Sequence, residues 1–340
     1  MSTSVALIPE GICVRVATLA RDQVPSVFYN LVRILFFTER ADRFLSVTVT
    51  EADVTLVAEA EDLAHFEGTG LQVDETDWRV VRVGEGALGF EKVGVIERIT
   101  GPLAAASIPV LYISTYSSDY VLIPNVRLDE ALRQFDDAAI DDPEHTEEAP
   151  RPQHSHPLNV LHASGQTGCT RILQVERRHR HAHTSALIRL LFLPAADDAP
   201  QPIASLTETP DEISILAGDS DWLDEHCRTA DGIADDPQLW VPLRVGDVGG
   251  TPLEEIGVVA TQANVLSRAS VTLLYLSTYF SDYTLILAEA VETAVAAFEA
   301  HGFTVTRHRA GQVIVTAGTD QTASGQPPHA PAVADEVAAS

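Results

Sequence analysis

Basic residues and cysteines are both scarce in this chain. It has 22 Lys and Arg against 49 Asp and Glu, a formal net charge of -27. So few cations cannot neutralise a phosphate backbone, which argues against nucleic acid as a partner. The same shortage argues against anionic membrane surfaces. A cationic ligand or a basic protein surface fits the balance, and part of the charge serves solubility. Cys13, Cys169 and Cys227 are too few and too scattered for a disulfide framework. No apolar run approaches the roughly 20 residues of a membrane span. The first residues lack the basic and apolar regions of a signal peptide, so a cytoplasmic location is expected. No nucleotide-binding loop, nucleophile elbow or metal motif is present, which favours binding over catalysis. The expectation is a non-enzyme without a cofactor.

What is there is a duplication. Leu111-Tyr-Ile-Ser-Thr-Tyr-Ser-Ser-Asp-Tyr-Val-Leu-Ile123 is answered by Leu274-Tyr-Leu-Ser-Thr-Tyr-Phe-Ser-Asp-Tyr-Thr-Leu-Ile286, every match offset by 163 positions. Each copy reads as two β-prone runs around a polar tip, a hairpin whose turn presents Asp119 or Asp282. An Asp at such a tip is also a common turn former, so residue type alone does not make either one a ligand. The 340 residues, 45% of them hydrophobic, suffice for two or more compact domains.

The surrounding pattern is α+β. Strands are expected at 13–19, 43–50 and 54–58, with a helix opened by Asp22 and Pro25 and carried by Val27, Leu31, Ile34 and Leu35. Residues 60–77 are acidic and rich in turn formers and read as a connector. Trp78 opens another strand, and Val93, Ile96, Thr100 and Leu103 form one helical face that Gly101-Pro102 should kink or interrupt. A helix follows at 128–135. Residues 136–168 crowd acidic residues, prolines and histidines together and read as a linker. The cycle then repeats, with a strand at 172–176, a helix at 185–193 and paired strands at 205–209 and 213–216. Trp240 answers Trp78 and Gly257 answers Gly94. A helix at 291–300 and a strand at 303–306 come last.

Four βαββα units of ferredoxin-like type, in two duplicated halves, result. Their expected bounds are a tail to residue 11, unit 1 at 12–60, unit 2 at 61–135 and the linker at 136–168. Unit 3 follows at 169–222, unit 4 at 223–312, and a disordered tail at 313–340.

With Gly94-Val-Ile and Ile108-Pro-Val110 in view, the second unit resembles an ACT domain, a small regulatory module that binds amino acids between two copies. Ser205-Leu-Thr-Glu-Thr-Pro-Asp-Glu212, Ile256-Gly-Val-Val-Ala260, Ser277-Thr-Tyr-Phe-Ser-Asp282 and His156-Pro-Leu158 together resemble the CASTOR family. These are cytosolic arginine sensors of four ACT domains that act on the TOR-kinase pathway through a GATOR complex. The likeness covers roughly residues 12–310.

The resemblance implies a ligand between units 2 and 4. Asp282 would face a guanidinium, which a carboxylate can hold through a bidentate, charge-assisted fork. Glu255 would lie against the same cation, and Thr278 and Tyr279 would line the pocket. His156 would close it, Val110 would offer backbone contacts, and amides near Gly257 would meet an α-carboxylate. A homodimer is implied as well. Two positions depart from the family pattern. Pro109 stands where the family has serine, and Pro252-Leu253 where it has Gly-Phe, a pair found instead at Gly89-Phe90. Three readings stay open: an amino-acid sensor, a ligand-free scaffold, and a regulatory subunit of an amino-acid-metabolising enzyme. Arg177-Arg-His-Arg-His-Ala-His183 reads as a solvated basic loop or, with fewer donors than a metal site needs, as His179, His181 and His183 around a metal.

Overall fold

The structure, a computed structural model, describes residues 7–84, 93–137, 158–161, 168–193, 203–226, 230–246, 253, 255–309 and 312–316. A strand–helix–strand–strand–helix order recurs four times in it. The first repeat runs β1 (Leu7–Ala20), α1 (Val24–Phe36), β2 (Leu45–Thr50), β3 (Asp53–Ala58) and a short α2 (Ala60–Leu63), with a two-residue β4 (Gln72–Val73) after it. The second has β5 (Trp78–Val83), α3 (Val95–Ala105), β6 (Leu111–Ser114), β7 (Asp119–Pro124) and α4 (Leu128–Asp137), and β8 (Leu158–Leu161) follows. The third has β9 (Thr170–Val175), α5 (Arg180–Phe192), β10 (Ile203–Glu208), β11 (Ile213–Gly218) and α6 (Asp221–His226), then β12 (Ile233–Asp235). The fourth has β13 (Trp240–Val245), α7 (Val258–Arg268), β14 (Leu273–Ser277), β15 (Asp282–Leu287) and α8 (Val291–Ala300), with β16 (Val305–Arg309) and β17 (Gln312–Thr316) beyond it.

Repeats pair edge to edge. β2 runs antiparallel to β10 over six residue pairs, joining the first and third repeats. β6 meets β14 antiparallel at Ile113 and Leu276, joining the second and fourth. The first and third repeats are then stitched to the second and fourth by β1 to β5 and by β9 to β13, so the pairings close into a ring. Alternation along each strand sorts side chains to two faces. On β2, Leu45, Val47 and Val49 join a core under α1 and α5. Ser46 and Thr48 face inward, their hydroxyls 2.8 Å from Thr207 and 3.0 Å from Ser205. A second helix-covered core forms under α3, α4, α7 and α8. A third, holding Trp78, Trp240, Phe44, Tyr120 and Tyr283, lies on the inner face where helices are absent.

Several expectations need correction. The 60–77 connector contains α2 and β4, because Leu63 and Phe66 bury against the α1 core. The 136–168 linker contains β8, which pairs antiparallel with β13 and parallel with β16. The tail expected from 313 is met by β17, paired with β16. Pro102 does not interrupt α3; Gly101 precedes it and has no Cβ for the proline ring to strike. The 177–183 stretch is no loop: Arg177–His179 form a 3-10 turn and Arg180 opens α5. Arg177 and Arg180 both donate to the buried Glu208, His181 meets Glu39 at 2.7 Å, and His183 meets the Asp231 carbonyl. Arg180 is thereby buried, while Arg178 and His181 stay exposed.

Candidate ligand site between the second and fourth repeats

The seam between these repeats is built from the duplicated motif itself. Ser277 Oγ accepts the Tyr112 backbone N–H at 3.0 Å, and Ser114 Oγ accepts that of Tyr275 at 3.0 Å. The exchange is reciprocal, as expected when two copies of one segment meet across an approximate two-fold axis. The Tyr112 and Tyr275 rings meet edge to face, centroids 6.3 Å apart. Above the sheet α3 packs along α7, where buried Asn264 donates to buried Glu97 at 2.5 Å. Gly94, the N-cap of α3, has φ +83°, and a Cβ there would sit 3.0 Å from Ser267 Oγ.

Asp282 opens β15 opposite Ser277 and Val245. Period-two alternation puts it on the helix-covered face with Thr284 and Ile286, and it is buried. The Tyr275 phenol hydrogen-bonds to it, and burial together with the Asp282 charge pushes that phenol well above the ordinary tyrosine range. Tyr275 also accepts from Gln262 Nε2 at 3.1 Å, while the same amide reaches the Val258 carbonyl. The carboxylate is thereby tied to the first turn of α7, whose N-cap Gly257 is left-handed at φ +84°. The positive end of that helix dipole is the natural seat for an anionic group.

The other expected residues divide. Partly buried Glu255 lies two positions before Gly257. Val110 precedes β6 and packs against the core shared by the second and fourth repeats. The Thr278 hydroxyl is turned into its own hairpin, donating to the Ser281 carbonyl at 2.5 Å and accepting the Ser281 N–H at 3.1 Å. Tyr279 points to the inner core instead of the helix side, stacks edge-on to Phe280, and its N–H bonds Thr55 Oγ1 at 3.0 Å. Tyr279 therefore docks the fourth repeat onto the first, while Thr278 closes the turn. His156 lies outside the described residues, as do Cys227, Pro252 and the Gly89-Phe90 pair. Gln262 and Thr284 escaped the sequence reading. The signal was present, since at the offset of 163 they replace Ile99 and Val121.

The opposite copy is similar but not identical. Asp119 sits opposite Ser114 at the start of β7. Burial pushes its carboxyl up to about 6, while the neighbouring Ser114 and Tyr112 side chains pull it down. The tip beside it docks on the third repeat: Thr115 donates to buried Glu212 at 2.7 Å, the Ser117 N–H reaches the same oxygen, and the Tyr116 N–H bonds Ser214 Oγ.

Two stretches, residues 73–135 and 237–300, match a family model described as the ACT domain. Among curated proteins, the cytosolic arginine sensor for mTORC1 subunit 1 of Pongo abelii is 32% identical over 124 residues, covering 32% of this chain and 38% of the relative. The Homo sapiens protein of that name is 31% identical over the same extent. The match thus spans well under half the length of these relatives. Among solved structures, aspartate kinase from Synechocystis covers 88% of this chain and 56% of its own, at 12% identity and TM-score 0.31. A likeness that loose bears on neither fold nor function. The family match is the firmer finding: the second and fourth repeats, the pair joined through β6 and β14, carry ACT-type folds.

Proposed function

We propose that this chain is a non-catalytic regulatory protein that binds a free amino acid, arginine or another cationic one, between the second and fourth repeats. In this reading all four repeats are ACT-type units, the chain forms a homodimer, and ligand state passes to protein partners in the TOR pathway. The observation that carries it is Asp282: a buried carboxylate tied to the first turn of α7, inside a stretch that matches the ACT domain. A carboxylate and a helix N-terminus suit the two charged ends of a cationic amino acid. Curated relatives named as arginine sensors support the ligand class. For signalling, the ligand must bind one arrangement of the repeats better than another. The hairpin ending at Asp282 is bonded to the first repeat through Tyr279 and Thr55, so a shift at the carboxylate has a route to the other half.

Calorimetry against the twenty amino acids tests this on wild type and Asp282→Ala. Heat from a cationic amino acid that vanishes in the variant is the expected result. No heat from any of them would leave the second reading, a ligand-free scaffold. That reading is favoured by Pro109, which brings no N–H to the strand entry, and by the Thr278 hydroxyl being spent on its own turn. Pull-down from the source organism then separates TOR-pathway partners from a metabolic enzyme.

A further inference from the structure

Both copies of the motif set a tyrosine beside the aspartate, Tyr112 by Asp119 and Tyr275 by Asp282. Behind the tyrosines they diverge. In the fourth repeat Thr284 Oγ1 donates to Gln262 Oε1, and Gln262 Nε2 donates to the Tyr275 oxygen at 3.1 Å. All three side chains are buried, at 1% exposure or less. The Tyr275 oxygen accepts from the amide, so its own O–H is left for Asp282, and every bond in the chain runs toward the carboxylate. In the second repeat the matching positions are Ile99 and Val121, which neither donate nor accept. Tyr112 has no such support from behind.

We propose that Gln262, held by Thr284, is the positioning residue that makes Asp282 the cation-recognising aspartate of this seam, while Asp119 takes no ligand. This rests on the reading of the chain as a binder of cationic amino acids. A bidentate fork requires the carboxylate plane to be fixed before the guanidinium arrives. A fully satisfied buried network supplies that rigidity, and preorganisation of the site spares affinity the cost of ordering it. Asp119 lacks that network: Ile99 and Val121 stand where Gln262 and Thr284 would be, so nothing behind Tyr112 fixes the plane of its carboxylate.

The test is calorimetry with arginine as probe on three full-length proteins. The double variant Gln262→Ile, Thr284→Val copies the pair at Ile99 and Val121, which this fold already accommodates. It should weaken binding about tenfold or more without a matching fall in thermal midpoint. Gln262→Glu keeps the size and the acceptor for Thr284 but offers Tyr275 a competing acceptor, drawing its O–H from Asp282. It too should weaken binding, an effect that a space-filling role would not produce. Wild type should bind one arginine per chain. Unchanged affinity in the double variant, wild-type affinity in Gln262→Glu, or two arginines per chain would each overturn the proposal while leaving the functional reading intact. No arginine heat from wild type overturns the proposal together with the arginine-binding reading beneath it.

Discussion

Asp119 and Asp282 occupy matching positions, and what surrounds each decides its chemistry. Asp119 is raised to about 6 chiefly by burial. A carboxyl raised in the folded state holds a proton that the unfolded chain has already released near its ordinary value of about 4. Its stabilising contribution is therefore complete below about pH 4 and is lost as pH rises through about 6. Asp119→Asn, which keeps the shape and carries no charge, should be more stable than wild type at pH 7.5, with the advantage shrinking as pH falls to 4.5. Urea denaturation across that range reads the effect, and a pH-independent difference would rule it out. Neither aspartate could be sorted from the other by residue type, since both sit in the same seven-residue pattern. The difference lies in which helix residues stand over them.

At the scale of elements, the N-caps of α3 and α7 are both left-handed glycines, Gly94 and Gly257. Their correspondence was visible at the fixed offset. The reason for glycine was not, because it combines a local φ with a neighbour 173 positions away, Ser267. Gly94→Ala should cost about 1–2 kcal/mol from the left-handed backbone alone, plus whatever the Ser267 contact adds. Adding Ser267→Ala should return only the contact part, measured as a double-mutant cycle in denaturant. Full recovery would mean that backbone strain is absent. The basic run before α5 teaches the complementary point. Three arginines and three histidines in seven residues look solvated by composition, yet Arg180 is buried because Glu208 comes to it from β10.

At the scale of the whole molecule, that same Glu208 clasps the first repeat to the third. It is fully buried and receives Arg43 at 3.2 Å, Arg177 at 3.0 Å, and Arg180, while Arg43 also pairs with buried Asp62 at 3.1 Å. Removing one partner of a buried ionic cluster strands the others away from water. Glu208→Ala should cost about 3–5 kcal/mol, read as a lowered denaturation midpoint, and a loss under about 1 kcal/mol would show the arginines to be solvated. The clasp, the hydroxyl contacts of β2 with β10 and the reciprocal serine bonds of β6 with β14 together fix which repeats are neighbours.

The sequence by itself determined the duplication, the α+β order of each repeat and the ACT likeness, because period, spacing and turn residues are local properties that survive without knowing the neighbours. It also singled out Asp282 and Gly257 as residues to watch. Only the tertiary structure decided that the Thr278 hydroxyl closes its own turn while Tyr279 braces the first repeat, that Arg180 of the basic run is buried at a helix start, and that Gln262 and Thr284 stand behind one aspartate and not the other. Those facts depend on contacts between residues far apart in the chain, and hydrogen-bond partners across a sheet seam leave no periodic trace in the sequence.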